Sequence, residues 1–287
     1  MAGLARVTDT LTVLHGRALS YNAGVFIAGV SAVLVDPGMF ADEVDRVRAH
    51  VHARDAEPHH VIITHFHWDH VLGPEYFPGV PVVAHSEALA VQQEHGRRIE
   101  HQVTEWERTN GVQRELPFLL AEPDETFGDE LELGVGNDAL RLIHAPGHAP
   151  EQLVAWHEAS RTLWAADMLS DIEIPFVMQS LTVYRRTLDR LVELQPAVLI
   201  PGHGSATTDP REVVRRFERD RAYLAKLEER VGAAIRAGRS AVETVRECQG
   251  LSPLPDNEWP HQQNVLTAFA ELGGVVDPAH PGWNRFE

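Results

Sequence analysis

Residues 61–70 constrain this chain more than any other stretch. Val61-Ile62-Ile63 reads as a buried strand, and the chain leaves it through Thr64-His65-Phe66-His67-Trp68-Asp69-His70. The six positions 65–70 carry three imidazoles and one carboxylate. A strand that ends in such a burst of His and Asp builds a metal site, since neutral imidazole is the commonest metal ligand. On an extended segment His65 and His67 face the same way and can share one ion. Asp69 and His70 lie beyond them and can reach a second. Each ion wants about four ligands, so the motif cannot fill two sites alone.

Three other residues have the same local context. His148 in Ala145-Pro146-Gly147-His148, Asp167 after the apolar run 162–166, and His203 in Pro201-Gly202-His203-Gly204 each follow a predicted strand. Asp36 in Val35-Asp36-Pro37-Gly38 does so too. Loop ends at one edge of a sheet scaffold are where sites are built. His148 would give the first ion a third imidazole. His203 would join Asp69 and His70 at the second, and the two oxygens of Asp167 could bridge. Two divalent ions against two carboxylates and a hydroxide leave a positive centre. Such a centre suits a carbonyl or phosphoryl oxygen and lowers the pKa of a bridging water to about 7 from ~16.

Composition narrows the remaining classes. A chain of 287 residues fits one large domain, or one domain with a modest appendage. Its 44% hydrophobic and 23% charged content is that of a soluble globular protein, and no apolar run approaches a membrane span. The N-terminus lacks a basic segment followed by a long apolar stretch, so no secretory signal is expected and a cytoplasmic location is. The single cysteine, Cys248, excludes an internal disulfide framework and a cysteine-rich zinc site, and reads as helix packing. A net charge of −17 argues against nucleic acid and anionic membrane as partners. It leaves open a local cationic centre that receives a small anionic substrate. Of the 17 histidines, His50, His52, His59 and His60 look like surface or loop residues, so position rather than number decides.

Along the chain, strands are expected at 11–14, 24–28, 32–35, 61–63, 80–84, 131–133, 140–143, 153–156, 162–166 and 197–200, with 153–166 as a hairpin. Helices are expected at 41–53, at 86–109 with Ser86 as N-cap, after residue 179, and from 210 onward, with further helices at 240–247 and 260–272. Residues 110–128 look irregular. Strands and helices interleave without a dinucleotide glycine fingerprint, which points to two mixed sheets between helices.

The motifs His65-x-His67-x-Asp69-His70, Pro146-Gly147-His148, Asp167 and Gly202-His203-Gly204, with Asp36 in Val-Asp-Pro-Gly, resemble the metallo-β-lactamase superfamily over roughly residues 10–205. The resemblance implies an α+β fold, a four-layer αββα sandwich. The catalytic domain would span 1–208, with a helical extension, 209–287, packed on its core. It implies a mono- or dinuclear centre, usually zinc. His65, His67 and His148 would serve one metal, Asp69, His70 and His203 the other, with Asp167 between them and Asp36 orienting the ligand loop. Three departures narrow the branch. The commonest zinc β-lactamases carry a cysteine where Asp167 stands, which argues against β-lactam hydrolysis. The long insertion of the nucleic-acid-processing branch between Asp167 and His203 is absent, as is the flavodoxin-like domain of diiron oxidoreductases. What remains resembles glyoxalase II-like and lactonase-like acyl hydrolases.

The expected activity is therefore hydrolysis of a thioester, lactone or related small acyl substrate. Two divalent ions, zinc before iron or manganese, would hold a bridging hydroxide oriented by the catalytic Asp69 and Asp167. The alternatives are a mononuclear iron oxygenase of the persulfide dioxygenase type, a phosphodiesterase or ribonuclease, and a non-catalytic metal-binding module. His85 and His144 follow strands but have no evident metal partner. His157 in the hairpin is expected to be exposed. Trp68 and the apolar loop 169–178 are either packing or pocket wall. Tyr184 reads as packing, with an oxyanion donor role second. Helix 86–109 is a candidate lid or homodimer surface.

Overall fold

The structure is a computed structural model that describes residues 3–114 and 116–277. The chain divides into two compact units, one of Met1–His144 with Glu151–Ser160, the other of Ala145–Pro150 with Arg161–Glu287.

In the first unit, a seven-stranded sheet takes its strands in chain order: β1 Gly3–Arg6, β2 Leu11–His15, β3 Asn22–Ala28, β4 Ser31–Val35, β5 Glu57–Ile62, β6 Val82–His85 and β7 Glu125–Phe127. Strands β1 to β4 form an antiparallel meander. From β4 onward the pairing is parallel, which requires crossovers. Helix α1 (Ala41–His52) crosses from β4 to β5 and α2 (Ala88–Asn110) from β6 to β7. Parallel pairing has a direct consequence for chemistry, because strands β4, β5 and β6 all release the chain at the same edge. Val35 is in register with Ile62, and Asp36 N–H donates to the Ile62 carbonyl at 3.0 Å. Asp36 and the 64–70 stretch therefore start side by side. Val44, Val47 and Val51 of α1, with Val25, Leu34, Val61 and Ile63, belong to one buried core. The same unit contains an antiparallel set, β8 Glu130–Val135, β9 Asp138–His144 and β10 Leu153–His157.

The second unit pairs β11 (Thr162–Trp164) with β12 (Val198–Ile200) in parallel, with α3 (Leu181–Glu193) as the crossover. Three helices follow, α4 Pro210–Arg236, α5 Ala241–Cys248 and α6 Glu258–Glu271. Side chains set their starts. Asp209 caps α4 ahead of Pro210, and Ser240 with Glu243 forms a capping box on α5. Ser180 caps α3, whose first amides, at Leu181 and Thr182, also donate to the Glu271 carboxylate. Cys248 is buried, as a packing residue should be. Among the described residues no helix is long and apolar enough to cross a membrane.

Several expectations need correction. Strands β1 and β7 lie where the pattern was unreadable, because both are edge strands of three or four residues set by pairing rather than by periodicity. Strand β5 begins at Glu57, so His59 and His60 lie in a strand. Its register shift beside Ala32 and Val33 accommodates Pro58, which has no N–H to donate. Ser86 does not cap α2, whose N-cap position is Glu87 with no side-chain cap. His157 is buried rather than exposed. Its ring lies 2.7 Å from Asp138 Oδ2 and 2.6 Å from Ser160 Oγ, so two polar partners offset its burial in β10. His85 and His144, expected to lack a metal partner, stack on each other with rings at 3.6 Å and 10°. With Glu87 they form a group of ligand types. The in-plane lone pairs of two parallel rings point side by side and do not converge on one ion, and Glu87 N–H donates to His85 Nδ1 at 3.3 Å.

Two outcomes test this description. Gly136, in the turn between β8 and β9, has φ +61°, and a Cβ there would run into the Ala28 carbonyl oxygen. Gly136→Ala should cost about 1–3 kcal/mol, read as a lowered midpoint in chemical denaturation; an unchanged midpoint would refute the close approach. The His85 imidazole is pushed down to about 4 from an ordinary 6.5, by burial first and by His144 second. Between those values the unfolded chain binds the proton and the folded one does not. Stability present above pH 6.5 is therefore lost as pH falls toward 4. His85→Asn should flatten that limb of a stability–pH curve, and an identical slope would remove His85 as its source.

Candidate metal centre

The first unit gathers its ligand candidates around a buried carboxylate. Asp36 is fully buried, with a left-handed φ of 43°. Its Oδ1 accepts from Thr64 N–H at 2.9 Å, and its Oδ2 from Thr64 Oγ1 at 2.6 Å and His70 Nδ1 at 2.9 Å. The Tyr21 hydroxyl donates to the Asp36 carbonyl at 2.9 Å. With the Thr64 hydroxyl proton committed to Asp36, its oxygen accepts from His65 Nδ1, 3.1 Å away. Both His65 and His70 thus carry their proton on Nδ1 and keep the Nε2 lone pair for a metal, the usual arrangement for a ligand imidazole held by an outer partner. His65 Nε2 lies 3.0 Å from His67 Nδ1. Two nitrogens on a tetrahedral zinc stand about 3.3 Å apart, so this pair is close to ligand spacing. Asp69 Oδ2 lies 3.8 Å from His70 Nε2.

A residue that sequence reasoning missed holds this loop. Glu151 is buried, and its Oε1 accepts from Phe66 N–H, between the two histidines, at 2.8 Å. Leu153 N–H donates to the Thr64 carbonyl at 2.9 Å, so the start of β10 runs along the ligand loop. Burial raises the Glu151 carboxyl above its ordinary value, against a smaller pull from the Phe66 amide. The available signal was a Glu placed between Ala-Pro and an apolar strand. Trp68 is half-buried and packs on Trp106 at 5.4 Å, as part of the core boundary.

The second unit places His148, Asp167 and His203 together. Parallel pairing of β11 and β12 sends Asp167 and His203 off the same edge, with Ala165 N–H donating to the Ile200 carbonyl at 2.7 Å. Asp167 Oδ2 lies 3.4 Å from His148 Nε2, and Asp167 Oδ1 lies 3.6 Å from His203 Nε2. His148 Nδ1 donates to the Phe176 carbonyl at 2.9 Å, again leaving Nε2 as the ligand atom. Gly147, at φ +133°, is required here because a Cβ would strike the Tyr184 backbone. Tyr184 is fully buried, and its hydroxyl donates to the Asp167 carbonyl at 3.4 Å, so it packs and braces rather than facing substrate. In the 168–178 loop, Met168, Leu169, Ile174 and Val177 are buried and Ile172 is exposed, which favours packing over a pocket wall. Ala166 and Leu169, on either side of Asp167, have left-handed φ of 48° and 60°. Each costs about 1–3 kcal/mol and persists only where the surroundings over-determine it.

These His and Asp clusters could hold metal ions. The donor set of imidazole and carboxylate suits zinc, iron or manganese, and the three imidazoles whose Nδ1 atoms are tied back have tautomers already set for coordination.

A family model described as the metallo-beta-lactamase superfamily matches residues 16–203. Among similar proteins is a linear primary-alkylsulfatase of Pseudomonas sp. (strain ATCC 19151), 22% identical over 85% of this chain and 51% of its own length. Another is a probable metallo-hydrolase, YqjP, of Bacillus subtilis (strain 168), 25% identical over 88% of this chain and 85% of its own. Two solved structures show the fold. The stereoselective inverting sec-alkylsulfatase Pisa1 from Pseudomonas sp. aligns with TM-score 0.75 and 18% identity over 97% of this chain and 51% of that one. A metallo-beta-lactamase family protein from Thermus thermophilus aligns with TM-score 0.65 and 21% identity over 98% and 96%. This chain spans about half the length of the two alkylsulfatases. With the match covering most of the chain and all the ligand candidates, the protein belongs to the metallo-beta-lactamase superfamily.

Proposed function

We propose that the protein hydrolyses an ester-like bond, in a thioester, lactone or related small acyl substrate, with two divalent ions, zinc first. The observation that carries this reading is the Asp167 carboxylate, whose two oxygens approach the Nε2 atoms of two different histidines, His148 at 3.4 Å and His203 at 3.6 Å. A carboxylate disposed in that way is suited to bridge two ions. His65, His67 and His148 would hold one ion, and Asp69, His70 and His203 the other.

Two such ions supply Lewis acidity and a water whose pKa falls to about 7. The chain supplies the rest. Asp69 would accept a hydrogen bond from the attacking water and fix its direction, and Asp167 would offer one oxygen beside His148 and the other beside His203. The Asp36 carboxylate keeps His70 in the tautomer that leaves Nε2 free of a proton. A net charge of −17 favours a small substrate over a nucleic-acid polymer. A second reading, hydrolysis of a sulfate ester, is favoured by the two alkylsulfatases, one similar over 85% of this chain and the other over 97%.

Metal analysis of the purified chain should find two zinc per chain; one iron with oxygen consumption would replace hydrolysis by the dioxygenase alternative. A panel of thioesters, lactones, sulfate esters and phosphodiesters then separates the substrate classes, and turnover of the sulfate esters alone would overturn the acyl reading. Asp69→Ala should lower kcat by about two to four orders of magnitude with an unchanged circular dichroism spectrum. Near-normal turnover in that variant would sink the mechanism.

A further inference from the structure

Helix α4 begins beyond the last ligand candidate, yet its buried face is aimed at the loops that follow two of them. Arg216 is 2% exposed, an unusual state for a guanidinium. Its Nη1 donates to the Leu169 carbonyl at 3.2 Å and to the Ser205 carbonyl at 2.9 Å. Leu169 lies two residues after Asp167, and Ser205 two residues after His203. One cation thus spans both loops, with Glu212 at 2.8 Å and Asp171 at 3.7 Å balancing its charge. Further bonds stitch the same two loops. The Ser170 hydroxyl donates to the His203 carbonyl at 2.8 Å, and Ser205 N–H donates to Asp171 Oδ1 at 2.7 Å. Gly204 lets the loops close, since a Cβ there would meet the Asp171 carboxylate.

The neighbouring residues of α4 act on the same strained segment. Arg219 donates to the Ser170 carbonyl at 2.5 Å. Asp220, fully buried on the same helix, pairs with Arg219 at 2.6 Å. Leu169, held left-handed, therefore has its C=O anchored to α4, and the next carbonyl, that of Ser170, is anchored beside it. Without such anchors that backbone would relax and carry Asp167 with it.

We propose that Arg216 is a positioning residue of the metal centre, tying the Asp167 loop to the His203 loop and so setting the separation of those two ligands. The inference rests on the reading of Asp167 and His203 as ligands. It makes α4 a working part of the centre rather than an appendage. Lysine cannot substitute, because the guanidinium sets Nη1 on the two carbonyls while Nε faces Glu212 at 2.8 Å and Nη2 faces Asp171 at 3.7 Å, separate directions that one ammonium nitrogen does not serve.

Cobalt(II) titration of the full apo chain, followed by its visible spectrum, tests this. The wild type should take up two cobalt ions. Arg216→Met should keep the ion assigned to His65, His67 and His148 and bind the other about 10–100-fold more weakly, and Arg216→Lys should not restore it. If Arg216→Met does not fold by circular dichroism, Asp171→Ala, at a partly exposed position, should weaken the same ion in the same sense. Wild-type affinity for both ions in a folded Arg216→Met chain, or in Asp171→Ala where that chain does not fold, overturns the inference, as does equal weakening of both. A wild type that takes up no cobalt refutes the ligand assignment itself, a result distinct from either.

Discussion

The buried carboxylate of Asp36 is the interaction on which the 64–70 loop of the first unit, with its ligand candidates, depends. A fully buried carboxylate is costly unless its oxygens are satisfied. Here three donors converge on it, the Thr64 amide, the Thr64 hydroxyl and His70 Nδ1. Each of these charge-assisted bonds also constrains a group with chemical work to do. The Thr64 hydroxyl passes the constraint to His65, and His70 is held directly. Removing the carboxylate would leave two imidazoles without a defined tautomer, so packing and chemistry are the same set of bonds.

The second unit meets a different constraint. Its ligand candidates His148 and Asp167 sit in loops that adopt costly backbone, with Gly147, Ala166 and Leu169 all at positive φ. Glycine removes the penalty at 147. At Ala166 and Leu169 the penalty persists and has to be offset by neighbours. The Tyr184 hydroxyl on the Asp167 carbonyl and the Arg216 guanidinium on the Leu169 carbonyl do this. The helical segment beyond 209 thereby holds backbone more than forty positions earlier in the chain, two residues after a ligand candidate.

Much of this was legible in the sequence. The strand that runs into His65–His70 could be read from three apolar residues and a cluster of ligands, and the Gly neighbours of His148 and His203 marked turns of the kind that sites use. The amphipathic pattern of α4 was also legible, since Val213, Phe217, Leu224, Leu227 and Val231 recur at helical spacing and are buried. Arg216 and Asp220 were not, because charged residues on a helix read as its solvent face. The pattern reports hydrophobicity and not the partner. Glu151 and His157 were missed for the same reason, as polar residues beside apolar strands whose burial is decided by a bonding partner far along the chain.

What the sequence determined by itself is the inventory, namely which residues can bind a metal, which strands deliver them and which family the motifs resemble. These follow from residue type and short spacing, both local properties. What only the tertiary structure decided is the state of each group. The proton on Nδ1 of His65, His70 and His148, the two-sided approach to Asp167, the burial of His157 and the reach of Arg216 across two loops all depend on atoms brought near by pairing of distant strands and helices. Protonation and orientation are set by contact, and contact is what parallel strand order and helix docking create.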